Sequence, residues 1–386
     1  MARPDESHFM EHSSATSSLS SAKPTRVLFV SLWELGWKTW ANQLEHYSEN
    51  FPGLEAVHLR VSRPSWMWAL SREFRPFGIP VISARRSWEW RMKRTVARVI
   101  SSEQFDVVFV SSQILAPALI EPCRRAGARF AVAIDVTGPA YQRDLAHRKV
   151  SPRQRWEDEE KIYEASDLSV TMSSWIADSL HNDFKVPREQ ICVTVPAVAL
   201  GPDAQTAPQP AEKRLPRILF CGNDWKRKGG PRLVRWHQEL WKDKAELHIT
   251  SGTAPPLKGL PNVFHHGMVP YDHLVNTIMP TSDIFCLPTY NDMSPFAVSV
   301  AQAAGLATVS SRIGGMNDLV IDGETGLLFA PNDDAGFKAG ITRLLNDPGL
   351  RSSMGTAARQ HAEANLDAAK VFPHLLSRLV TLKLDK

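Results

Sequence analysis

The stretch Pro288–Gly315, PTYNDMSPFAVSVAQAAGLATVSSRIGG, decides the reading of this chain. The run SDIFCL before it is short and apolar, the pattern of a buried strand. Asn291, Asp292 and Ser294 make a polar loop. Ser294 or Met293 opens a helix, with Pro295 tolerated in its first turn. The helix runs to Ala304 and stops at a left-handed Gly305. LATVSS is a second strand, and Arg312-Ile313-Gly314-Gly315 is a turn into the next helix. Strand, polar loop, helix, strand and glycine turn form one βαβ unit. Free amides at the helix start and the helix dipole favour an anion such as phosphate there. An ordinary βαβ connection with a polar loop fits the same spacing.

Working outward, the alternation of strands and helices continues to both ends. Before the unit come RILFCG (217–222), then NDWKRKGG and a helix through Trp241, AELHITSG and NVFHHGMV as strands, and the helix YDHLVNTIM. After it, DLVIDGETGLLFAP carries turns and a short strand, and helices follow from Asp333 to Leu345 and from Arg351 to Ala364. The segment after residue 365 has a helical stripe of Leu375, Leu376, Leu379, Val380 and Leu384, interrupted by Pro373. The stretch from Leu200 to Pro216 is rich in Pro, Ala and Gln and reads as a linker. On its other side lie strands at VLFVSL (27–32), LEAVHLRV (54–61), FDVVFVSS (105–112), RFAVAID (129–135), DLSVTMSS (167–174) and QICVTVPAV. Gly36 lies in the turn after the first strand, ahead of a helix from Thr39 to Tyr47. The fold class is therefore α/β: two doubly wound, Rossmann-like domains, 25–200 and 217–365, joined by 201–216 and closed by a terminal helix over 366–386. The length of 386 residues suits two such cores. Residues 1–24 read as a disordered tail, with seven serines in the first 23 and no hydrophobic signal segment.

Ligands in open α/β sheets gather at the carboxyl ends of the strands. Three loops there carry chemistry. Lys226, Arg227 and Lys228 precede Gly229-Gly230 after a strand, a cationic loop that suits a diphosphate. Asp292 heads the loop of the deciding stretch. Asp135 leaves the strand RFAVAID and is equally well read as a turn residue. The P-loop pattern G-x-x-x-x-G-K-[ST] is absent, as are HExxH, GxSxG and zinc spacings, so ATPase, metalloprotease and serine-hydrolase chemistry are disfavoured. The net charge of +4 gives no argument for nucleic acid, and the four cysteines form no CxxC pair, as expected of reduced thiols in the cytoplasm. From Arg60 to Arg98 ten Arg or Lys stand against two Glu, with Trp66, Trp68, Trp88 and Trp90 interleaved. Such a stretch is a solvated helix face with packed tryptophans, or a patch for anionic lipid at the inner face of the membrane; nucleic acid is the least favoured reading.

GNDWKRKGG (222–230), ELHITSG (246–252), SDIFCLPTYND followed eight positions later by Val300, AQAAGLATVSSRIGG (301–315) and DGETGLLFAPND (322–333) resemble the donor domain of the retaining family-four, or group 1, glycosyltransferases of GT-B fold. ASDLSVTMSSWIADSLHNDFKVPREQICVTVPAV (165–198) is similar to the end of their acceptor domain. The resemblance implies transfer of a sugar from a nucleotide diphosphate sugar to a hydroxyl acceptor with retained configuration, and a last helix that crosses back to the first domain. It also implies roles. Arg227 and Lys228 stabilise the diphosphate, Asp292 orients the sugar, and Asp135 contacts donor or acceptor hydroxyls. Gly36, Gly222, Asn223, Ser294, Pro295, Phe296, Val300, Gly314 and Gly315 line the donor site, with backbone amides holding phosphate and sugar. No cofactor or metal is expected, because Arg and Lys neutralise the leaving group.

The sequence departs from the family at Ile134, where a histidine is common, and at three places of the donor site. Two glutamates eight apart are usual; here Asp292 is one methylene shorter and Val300 accepts no hydrogen bond. The loss of such an acceptor costs about 1–3 kcal/mol where nothing replaces it. The arginine usual after the glycine of the phosphate loop is Asn223. A silent GT-B module that binds a sugar nucleotide or a partner is the alternative these departures raise.

Overall fold

The computed structural model describes residues 23–33, 35–62, 84–145, 153–200 and 214–383. The Ser-rich tail, most of the linker, the 63–83 part of the basic stretch and Leu384 lie outside the described residues.

Among the described residues twelve strands form two six-stranded sheets, every neighbouring pair parallel. The first sheet holds β1 (Thr25–Leu32), β2 (Leu54–Val61), β3 (Val107–Val110), β4 (Arg129–Ile134), β5 (Leu168–Thr171) and β6 (Ile191–Val193), in the order β2-β1-β3-β4-β5-β6. The second holds β7 (Arg217–Cys221), β8 (Glu246–Thr250), β9 (Val263–Gly267), β10 (Ile284–Leu287), β11 (Ala307–Ser311) and β12 (Gly326–Phe329), in the order β12-β11-β10-β7-β8-β9. The continuous apolar runs at β1, β3 and β10 are buried along nearly their whole length, as sheets covered on both faces require.

The longer helices are α1 (Leu35–Ser48), α2 (Ala84–Ser102), α3 (Ile120–Ala126), α4 (Arg153–Glu164), α5 (Ser174–Phe184), α6 (Gly230–Trp236), α7 (Phe296–Ala303), α8 (Asp334–Asn346), α9 (Pro348–Asn365) and α10 (Ala368–Thr381). Several expectations shift. Helix α7 begins one residue beyond Pro295, which sits at the cap position with no side-chain cap, instead of running from Ser294. Pro has no amide and fixes its own φ, so it serves as the residue before the helix as readily as within it. Gly305 has φ +71°, the left-handed stop that was expected. Gly36 lies in the first turn of α1 and not in a turn ahead of it. ILAPALIEPCRRAG is divided into a short turn at Ala116–Ala118 and α3, which ends on Gly127 at φ +68°. Pro373 lies within α10, which continues through it.

Helix α10 belongs to the first domain's core although it follows the second. Phe372, Leu375, Leu376 and Leu379 are fully buried in one cluster with Val27, Phe29, Trp40, Leu44 and Phe109. The ring of Phe372 stacks on Tyr47 at 5.5 Å and tilts against Trp40 at 5.6 Å. The chain therefore passes between the domains twice, and the two passages touch: Val198 N–H donates to Leu366 O, and Ala368 N–H donates to Val198 O, both at 2.9 Å.

Candidate active site

In the second sheet the strand order reverses between β7 and β10, and the loops that follow these two strands meet. This is the switch point where doubly wound sheets open a crevice. The loop 223–229 and the loop 288–295 are laced together. Tyr290 N–H donates to Arg227 O at 2.9 Å, and Thr289 Oγ1 donates to the same carbonyl at 3.3 Å. Arg232, 2% exposed, donates through Nε to Pro288 O at 3.0 Å and lies 4.2 Å from the Tyr290 ring centre. Gly229 makes this approach possible. Its φ is +80°, and a Cβ there would stand 1.9 Å from Pro288 O.

The lacing brings Arg227, Lys228 and Asp292 together. Lys228 Nζ lies 3.1 Å and Arg227 Nη1 3.5 Å from Asp292 Oδ2. The Asp292 carboxylate is 10% exposed and the Lys228 side chain 14%, so the pair interacts in a medium far less screening than water. The ammonium approaches Oδ2 off the direction of a hydrogen bond, and the oxygen has no hydrogen-bond partner. Charge alone holds it. Arg227 is committed elsewhere as well: Nε pairs with Asp224 at 2.8 Å, and Nη1 donates to Asn291 O. Gly222 gives room to the Lys228 stem, whose Cδ would meet a Cβ there.

The other predicted residues fall into two groups. Ser294, Pro295 and Phe296 lead into α7, and Gly314 and Gly315 pack on them: Gly315 N–H donates to Met293 O at 2.6 Å, and a Cβ on Gly315 would lie 2.4 Å from Ser294 Oγ. Gly314, at φ +57°, lies against the carbonyls of Asp292 and Met293. Asn223 and Val300 are turned to structural tasks. Asn223 Oδ1 accepts from Gly252 N–H at 3.0 Å, tying the loops after β7 and β8. Val300 is 5% exposed and packs in the second domain's apolar core. Gly36 stands at the carboxyl end of β1 in the other sheet.

The first domain closes over this loop cluster. Asn291 Nδ2 donates to Leu145 O at 3.1 Å. Asp318 accepts at Oδ2 from Ser174 N–H, 2.7 Å, and at Oδ1 from Ser174 Oγ, 2.5 Å. A Cβ on Gly315 would lie 2.5 Å from Ser173 Cβ, so only glycine admits this closeness. Phe296 packs against the core cluster of the first sheet. The carboxyl ends of β4 and β5 thus face those of β10 and β11. Asp135 directly follows β4. Its backbone amide donates to Gln113 Oε1 at 3.2 Å, and burial pushes its carboxyl up to about 6, against the pull of its own and Val136's amides. Behind it, Glu159 Oε2 accepts from Gly138 N–H at 2.9 Å, and Tyr163 is 3% exposed.

Residues 215–347 match the family described as Glycosyl transferases group 1, and residues 50–200 match Glycosyltransferase Family 4. Both halves of the chain thus match glycosyltransferase family models, and the fold is GT-B. It is 26% identical over 239 residues to D-inositol 3-phosphate glycosyltransferase of Arthrobacter sp. (strain FB24), covering 56% of each chain. To the enzyme of that name from Corynebacterium diphtheriae it is 36% identical over 146 residues, 38% of this chain and 30% of the relative. The chain spans about half the length, or less, of these relatives. Among solved structures, sucrose-phosphate synthase (tll1590) from Thermosynechococcus elongatus superposes with TM-score 0.76 at 14% identity, over 94% of this chain and all of that one. Anabaena Alr3699/HepE in complex with UDP-glucose gives 0.64 at 13%, over 92% and 99%. At such identities the likeness concerns the GT-B fold.

Asn291, Ser174, Asp318 and Glu159 were not singled out from sequence as site-forming groups. Asn291 pairs with Leu145 and Asp318 with Ser174 across more than a hundred residues, and no spacing pattern announces such partners. Asp318 carried one signal, its place three residues after the glycine turn.

Proposed function

We propose that the chain transfers a sugar from a nucleotide diphosphate sugar to a hydroxyl acceptor, with retention of configuration. The observation that carries this reading is the convergence of Lys228 and Arg227 on Asp292 at the switch point, beneath the loops of the first domain. Lys228 supplies positive charge to the leaving diphosphate, and Arg227 adds to that field while anchoring the loop. The uncapped start of α7, at Phe296 and Ala297, offers amides to phosphate or sugar oxygens. Asp292 then exchanges part of its hold on Lys228 for sugar hydroxyls, the acceptor-only role that a carboxylate fills. Asp135, across the cleft, binds a donor or acceptor hydroxyl. Retention requires the incoming hydroxyl on the face the diphosphate leaves.

The family matches support a nucleotide-sugar donor, and the solved structure in complex with UDP-glucose supports UDP as the first nucleotide to try. The names of the sequence relatives suggest an inositol phosphate among the acceptors. The decisive experiment incubates the protein with UDP-, GDP-, ADP- and TDP-sugars and a hydroxyl-acceptor panel that includes an inositol phosphate. Mass spectrometry detects the product, and NMR reads its anomeric configuration. An inverted product overturns retention; absence of both transfer and donor hydrolysis overturns the enzyme reading.

A second reading, a silent GT-B module, is favoured by Val300 in the apolar core and by Asn223 engaged with Gly252. Nucleotide-sugar binding without turnover would establish it. The basic, Trp-rich stretch is proposed to hold the protein at an anionic membrane surface on the cytoplasmic side. No helix among the described residues is long and apolar enough to cross a membrane. Co-sedimentation with anionic vesicles tests this, and failure to pellet with them removes the proposal.

A further inference from the structure

Asn291 holds a position that no other residue of the loop shares. Its side-chain amide donates to Leu145 O, 146 residues away in the first domain. Its own carbonyl accepts from Arg227 Nη1 and lies 3.0 Å from Thr289 Oγ1, whose one proton is shared with Arg227 O. The next residue is Asp292, whose Oδ2 lies between Arg227 and Lys228. On the far side, Leu145 ends a helical passage that begins at Gly138, whose amide is held by Glu159 at 2.9 Å. A line of hydrogen bonds therefore runs from α4 of the first domain, through Asn291, to the guanidinium of the cationic loop.

We propose that Asn291 is a positioning residue that couples the docking of the first domain to the placement of Arg227 beside Asp292. With the domains docked, the Leu145 carbonyl fixes the Asn291 side chain, and its peptide carbonyl then holds Arg227 toward the Asp292 carboxylate. With the domains apart, the side chain loses its partner and Arg227 loses a constraint on one of its nitrogens. The contact needs a donor: a carboxylate at this position cannot donate to Leu145 O.

The coupling to ligand rests on the donor reading above; the coupling between the domains does not, so the test has two arms. In the ligand-free protein, hydrogen exchange followed by mass spectrometry compares wild type with Asn291→Ala and Asn291→Asp. Faster exchange is expected in peptides covering 138–145 and 222–230, with the melting temperature little changed. Unchanged exchange at 138–145 overturns the docking role. In the second arm, UDP, GDP and ADP affinities are measured by calorimetry for wild type, Asn291→Asp, Arg227→Ala and the double variant. Loss of one net hydrogen bond predicts about two- to tenfold weaker binding for Asn291→Asp. If Asn291 acts through Arg227, the double variant binds no more weakly than Arg227→Ala. Additive losses overturn the coupling. A wild type that binds none of the three overturns the donor reading and the ligand half of the proposal together, while the exchange arm still judges the docking half.

Discussion

At the scale of the residue, Lys228 and Asp292 carry the most. Lys228 is the less committed of the two cations facing Asp292 Oδ2, since Arg227 also serves Asp224 and Asn291. Lys228→Ala should therefore lower turnover at least about tenfold, the scale of one charge-assisted bond; unchanged steady-state turnover would remove Lys228 from the phosphate loop. Gly229→Ala meets a carbonyl oxygen and a left-handed φ together, and should destabilise the protein by more than about 1 kcal/mol in urea unfolding. Asp135 gives a pH signature. Its carboxyl is raised to about 6, so the charged form prevails only above that pH. Activity should climb as pH rises through about 6, and Asp135→Asn should flatten that limb of the profile. Stability runs the other way: a raised folded value means the folded state holds its proton more tightly, a contribution fully present below the unfolded value near 4 and lost as pH rises through about 6. Asp135→Asn should accordingly stabilise the fold relative to wild type more at pH 7 than at pH 4, measured by thermal melts across that range. Asp292 and Lys228 were legible in the sequence because each lies in the short loop that follows an apolar strand run, and local pattern is enough to find such a loop.

At the scale of the element, the strands were legible and the helix starts were less so. A buried parallel strand announces itself as a short apolar run, and all twelve runs became strands. Helix boundaries depend on which neighbour offers a cap. Pro295 takes the cap position of α7 and no side chain caps it, while Gly314 and Gly315 pack onto residues 292–294. Helix α10 shows the same dependence on packing. Its stripe was visible, but what the stripe covers, the β1–β3 face with Trp40 and Phe109, was set by the return of the chain. Phe372→Ala should cost about 3–5 kcal/mol, as for a large aromatic removed from a core, and the loss should appear in denaturant unfolding of the whole chain.

At the scale of the whole molecule, the two sheets are tied at the crossing of Val198 with Leu366 and Ala368, and again at the cleft. The cleft ties are polar: Asp318 on Ser174 at the start of α5, and Asn291 on Leu145 O. A carboxylate at a helix N-terminus gains from the helix dipole as well as from the two hydrogen bonds. Asp318→Ala should therefore loosen the docking, seen as a larger radius of gyration in small-angle scattering of the ligand-free protein and as a raised KM for the donor. An identical scattering profile would assign Asp318 no part in holding the domains.

The sequence by itself determined the two doubly wound halves, the positions of the strands in the deciding unit and the charged groups at its loop, because periodicity and turn chemistry act over a few residues. Only the tertiary structure decided which groups face one another. It turned Val300 into the core, gave Asn223 to Gly252, and set Asn291 and Asp318 against a domain more than a hundred residues away. Those pairings come from closing one compact surface on another, and chain order carries no record of that contact.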